Sequence, residues 1–107
     1  MAGSLGDLGG LLRQAQKMQR QVAELQEELH KRIFEGSAGG GAVKVKVNGA
    51  RQLLEVKISP EVVDPKDVDM LEDLVAGAVK EALKQAEETV AAEMQGLTGG
   101  MGLPGMF

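Results

Sequence analysis

The sequence predicts an α+β fold in the order long helix, three-stranded antiparallel sheet, long helix. Three observations carry that expectation. Apolar residues at Leu8, Leu11, Ala15, Met18, Val22, Leu25 and Leu29 are spaced alternately three and four apart. Val43, Val45 and Val47 alternate with polar residues, and Asn48-Gly49 separates them from Leu54, Val56 and Ile58. A broad apolar stripe then recurs from Val68 to Val90.

The first pattern is a heptad-like seam, which marks a helix packed along its length against another helix. Its Gln, Glu, Lys and Arg residues are good helix formers. A helix from Leu11 to Ile33 is roughly 35 Å long at about 1.5 Å per residue. Part of it must project beyond a three-stranded sheet, and the seam Leu11, Ala15, Met18, Val22, Leu25 and Leu29 then needs a partner. The glycines before Leu8 predict loose residues 1–7.

Arg32–Glu35 is expected to start the first strand, which ends at Gly36, with Gly36–Gly41 as a flexible turn. Val43–Val47 reads as a half-buried strand by its period of two. Asn48-Gly49 is the preferred pair for a two-residue type I′ hairpin, in which both central residues take positive φ. Leu54, Val56 and Ile58 fill one face of the return strand, with Glu55 and Lys57 on the other. Ser59-Pro60 and Asp64-Pro65 each place a capping residue before a proline at a first helical position. The second helix is expected from Pro65 to Met94. Its stripe is Val68, Leu71, Leu74, Val75, Ala78, Val79, Ala82, Leu83, Ala86 and Val90. Asp67, Asp69, Glu72 and Asp73 sit where the helix dipole favours acids. Gly77 either permits a close backbone approach or is simply tolerated. Residues 96–107, rich in Gly, predict a flexible tail. The whole, 1–107, reads as a single domain.

Composition narrows the function. The chain has 107 residues and no cysteine, which removes disulfides, thiolate metal sites and cysteine catalysis and suits a reducing, cytoplasmic setting. No apolar run is long enough to span a membrane, and the N-terminus does not read as a signal peptide. His30 is the only histidine, with Glu27 as its main neighbour, and a metal site needs three or four ligands. Neither Ser4, Ser37 nor Ser59 has a nucleophile's context. The glycine run lacks the Gly-Lys-Ser/Thr ending of a phosphate loop. No enzyme, cofactor, metal or small-molecule substrate is therefore expected.

The net charge is −4, but it is unevenly distributed. Arg13, Lys17 and Arg20 lie on the first helix with no acid between residues 8 and 23. They fall within roughly 60° of one another on a wheel of about 100° per residue, opposite the apolar seam. Gln14 and Gln16 flank them. Glu24 lies four residues after Arg20, and Lys31 four after Glu27, so the C-terminal half of this face can neutralise itself. Lys44, Lys46 and Lys57 share the polar side of the sheet, where an ordinary solvated surface is the plainer reading. The second helix and tail are strongly acidic. There is no Trp or Tyr, so there is almost nothing on which to stack single-stranded bases. On the residues alone, the basic end of the first helix reads as a solvated face.

The order of elements resembles the YbaB/EbfC family. The resemblance rests on Gln14-Ala-Gln-Lys-Met18, the run Gly36–Gly49, Ile58-Ser-Pro60, Leu71–Ala82 and the Gly/Met/Pro tail. It implies a tweezer-like homodimer that binds double-stranded DNA with little sequence preference and serves nucleoid organisation and gene regulation. Under that reading, Arg13, Lys17, Arg20, Gln14 and Gln16 are the DNA-binding candidates, with Lys44, Lys46 and Lys57 as weaker ones. The alternative is a non-catalytic dimeric scaffold, docking a partner through the seam or through Met101, Leu103, Met106 and Phe107.

Overall fold

The computed structural model describes residues 2–99, with side chains described for residues 7–97. The order is α1 (Ala2–Lys31), β1 (Ile33–Ala38), β2 (Val43–Asn48), β3 (Leu53–Ile58), a 3-10 turn (Pro60–Val62) and α2 (Val68–Gly99). The strands form one antiparallel sheet in the order β1-β2-β3, so the valine strand is central. This is the α+β architecture the patterns predict.

The core lies between α2 and the sheet. Phe34, Val43, Val45 and Val47 meet Ala78, Ala82 and Ala86, all buried. The three alanines are four apart and make a flat stripe that lets α2 approach closely. At Gly36 the approach is closest: an added Cβ would overlap the Ala78 carbonyl and the Ala82 nitrogen. Gly36 is therefore a mid-strand residue paired with Val45, and β1 runs on to Ala38 instead of ending at Gly36. The turn is shorter than predicted and uses Gly39, Gly40 and Gly41 at φ of 62°, 67° and 95°, which glycine alone adopts without strain.

The second hairpin also differs from the type I′ expectation. Among the described residues outside the glycine turn, positive φ occurs only at Arg51, at 65°. The Arg51 N–H donates to the Asn48 carbonyl at 3.0 Å and the Asn48 N–H to the Gln52 carbonyl at 3.1 Å. The Asn48 Oδ1 also accepts from the backbone N–H groups of Ala50 and Gln52, each at 3.0 Å. The result is a three-residue loop closed by a left-handed residue. Gly49 is needed for another reason. It faces the end of α1, where a Cβ would overlap the Leu29 carbonyl, and its N–H donates to the Arg32 carbonyl at 3.0 Å.

Asp64-Pro65 forms a turn before α2 rather than its first residues. The Asp64 carboxylate accepts from the Lys66 N–H at 2.9 Å. Asp67 is the residue that caps α2, accepting from the Met70 N–H at 3.2 Å. Ser59 precedes the 3-10 turn but makes no side-chain cap hydrogen bond. Both long helices reach beyond the expected bounds, α1 from Ala2 and α2 to Gly99. They continue through Gly9, Gly10 and Gly96, where a Cβ would meet open space. Each such glycine costs a helix about 1 kcal/mol, which a long helix absorbs. A Cβ at Gly77 would lie 3.8 Å from that of Ala38, so this glycine is tolerated, not required. The apolar tail residues Met101, Leu103, Met106 and Phe107 lie outside the described residues.

Candidate nucleic-acid interface

α1 is anchored at one end only. Leu29 is fully buried, Leu25, Val22 and Met18 are half-buried, and Ala15 and Leu11 are exposed. The anchor is completed by Arg32, whose Nη1 donates to Glu93 at 2.9 Å and Nη2 to Glu28 at 3.0 Å. Those hydrogen bonds, Glu93 first, raise the Arg32 pKa above the ordinary arginine range. The rest of α1 is an arm, and the molecule is accordingly long, 80 × 25 × 16 Å.

The arm holds the sequence-predicted basic residues together. Arg13, Lys17 and Arg20 are exposed on one face, with Gln14 and Gln16 exposed beside them. Arg20, Gln16 and Gln19 also line one shallow hollow with Ala23. None of the three cations is within ion-pair reach of a described acid. The expected Arg20–Glu24 pair does not form. Nearer the sheet the charges do cancel, through Lys31–Glu27 at 3.4 Å and Arg32–Glu28 at 3.0 Å. Among the described residues of α1, the arginine and lysine side chains without an ion-pair partner thus lie toward the arm's free end. Such a face can hold phosphates, because Arg and Lys side chains on long stems reach backbone oxygens without reading bases. The apolar seam on the arm is open, with a hollow lined by Leu11, Gln14, Ala15, Met18 and Gln19.

The sheet's two faces are different. Lys44, Lys46 and Lys57 share the face away from α2 with Glu35 and Glu55. The other face is covered only in part. α2 lies over β1 and β2, so Leu54, Val56 and Ile58 of β3 remain 49, 38 and 40% exposed. Val63, Val68 and Met70 are exposed as well. The sequence pattern places these three residues on one apolar face of the strand without specifying what covers it. The available signal was the width of the α2 stripe, whose ten positions exceed what one sheet face can cover. Leu71, Leu74, Val75, Val79 and Leu83 are accordingly only partly buried. No helix is long and apolar enough to cross a membrane among the described residues, and none of their His, Asp and Glu side chains group as a metal site.

Comparison with known proteins places this geometry. A sequence model of the YbaB/EbfC DNA-binding family matches residues 5–101. A nucleoid-associated protein of Clostridium perfringens is 55% identical over 105 residues, 98% of this chain and 94% of that protein. A nucleoid-associated protein of Clostridium kluyveri is 52% identical over 105 residues, 98% of this chain and 92% of that protein. Among solved structures, the crystal structure of an uncharacterized protein from Helicobacter pylori superposes with a TM-score of 0.61 at 28% identity, covering 77% of this chain and 83% of that one. The chain belongs to the YbaB/EbfC DNA-binding family.

Proposed function

We propose that the protein binds duplex DNA as a homodimer, through the basic outer half of α1 and with little sequence preference. In that role it works without catalysis on the nucleoid in the cytoplasm, organising DNA and influencing gene expression. The observation that carries this reading is the cluster Arg13, Lys17 and Arg20, without an ion-pair partner among the described residues, on a projecting helix whose inner Glu27 and Glu28 are paired with Lys31 and Arg32. The names of the relatives support the nucleoid setting. The dimer is supported by the uncovered apolar face of β3. Contiguous exposed apolar surface of this kind marks an interaction site, and a two-fold self-complementary contact is the commonest way for identical chains to cover one.

Three cations per protomer allow a dimer about six phosphate contacts, with affinity dominated by counterion release. The acidic α2 repels DNA and keeps contact away from its own side of the molecule. The test is fluorescence anisotropy of a random-sequence duplex with the wild type and an Arg13→Glu/Lys17→Glu/Arg20→Glu variant, both checked by circular dichroism. Loss of binding in the variant alone supports the arm as the site. Equal binding by both refutes it. A protein that binds no duplex near physiological salt would instead favour the scaffold reading.

A further inference from the structure

The free polar face of the sheet carries a charge arrangement that folding alone does not reward. Lys44 on β2 stands directly opposite Lys57 on β3, and Lys46 lies two residues along the same face. Like charges directly opposite one another destabilise a sheet. The nearby acids do not resolve this. Glu55 is shared between Lys46 at 3.4 Å and Lys57 at 3.8 Å. Glu35 stands opposite Lys46 without an ion pair, and Lys44 has no ion-pair partner among the described residues. Lys44, Lys46, Lys57, Glu35 and Glu55 line one depression of about 210 Å³. α2, which carries seven of the chain's sixteen acids, packs on the opposite face of the sheet and does not shield it.

We propose that this face is a second duplex surface, so that the protein holds two DNA duplexes at once and bridges them. The proposal rests on the reading of α1 as a DNA-binding arm. Phosphodiester oxygens supply the anions that relieve the Lys44–Lys57 repulsion. The ligand is a duplex and not a single strand, because the face bears no aromatic side chain on which to stack a base. It is a second duplex because the arm cations lie roughly 20 to 30 Å along α1 from where the helix enters the sheet, at about 1.5 Å per residue. A dimer joined through the apolar side of β3 leaves both polar faces outward.

The test compares single-duplex affinity with bridging. Affinity is read by anisotropy, and bridging as capture of a labelled duplex by a bead-bound one. The variants are Lys44→Glu and Lys44→Gln/Lys57→Gln. Lys44→Glu sets a carboxylate opposite Lys57, so its melting temperature is expected to hold or rise. Both variants should keep single-duplex affinity within about twofold while capture falls at least about fivefold, as expected when a set of phosphate contacts is lost. Capture equal to wild type overturns the proposal, because the second duplex is then held by the other arm. A loss of single-duplex affinity as large as that of the arm variant also overturns it, because arm and sheet then grip one duplex. Wild type that binds one duplex but captures no second refutes bridging alone. Wild type that binds no duplex refutes the arm reading as well.

Discussion

Substituting Gly49 by alanine tests how the arm is fixed to the sheet. A Cβ at this position would overlap the Leu29 carbonyl oxygen, lie 2.6 Å from the Leu29 carbonyl carbon and 3.2 Å from the His30 nitrogen. All three atoms are helix backbone, so no side-chain rotation makes room. Overpacking a core typically costs about 1–3 kcal/mol, and rigid backbone puts this site at the upper end. The hydrogen bond from the Gly49 N–H to the Arg32 carbonyl, 3.0 Å long, would be lost as the turn moves, at about 1 kcal/mol. The expected loss is therefore about 3–4 kcal/mol. For a domain near 100 residues each kcal/mol lowers the melting temperature by about 4–8 °C, so the shift exceeds about 10 °C. The assay is thermal and urea unfolding followed by circular dichroism, at matched protein concentration because any self-association adds to apparent stability. Gly77→Ala is the control: its Cβ finds 3.8 Å of room and the residue is helical, so it should stabilise by up to about 1 kcal/mol. If Gly49→Ala loses less than about 1 kcal/mol, α1 does not rest on the second hairpin.

Two further outcomes follow from particular residues. Arg51 holds a φ of 65° that costs a side chain-bearing residue about 1–2 kcal/mol, whereas its ion pair with Glu87, 65 and 53% exposed, contributes little. Arg51→Gly should therefore raise stability by about 1 kcal/mol in urea unfolding; a loss would mean that the pair with Glu87 outweighs the strain. Val56→Asp/Ile58→Asp puts carboxylates on the uncovered face of β3. Sedimentation equilibrium should then find a folded monomer, and an unchanged dimer would place the interface elsewhere, with the α1 seam the next candidate.

Much of the fold was legible because its patterns are periodic. The seam, the valine alternation and the α2 stripe each determine an element type through spacing alone. The misreadings cluster at glycine and aspartate, whose local preferences have more than one cause. Gly36 looked like a strand end, yet it sits mid-strand because α2 crosses there. Gly49 looked like a type I′ residue, yet it makes room for α1, and the left-handed position falls on Arg51. Asp64 and Asp67 are both plausible caps, and only the path of the chain decides between them. In the candidate site, the co-facial placement of Arg13, Lys17 and Arg20 was readable from helical spacing. That Arg20 stays free of Glu24 was not, since exposed i, i+4 pairs are worth only about 0.3–0.5 kcal/mol. The bare face of β3 was also hidden, because strand alternation says which side is apolar but not how far a helix reaches across it.

Contact between the arm cations and DNA phosphates is measured directly by the salt dependence of duplex affinity. Six contacts in a dimer give a log–log slope of about −5. The wild type should approach that slope, and any residual binding by the Arg13→Glu/Lys17→Glu/Arg20→Glu variant should show a much shallower one. A wild-type slope near zero, or the same steep slope in both proteins, would contradict contact through the arms.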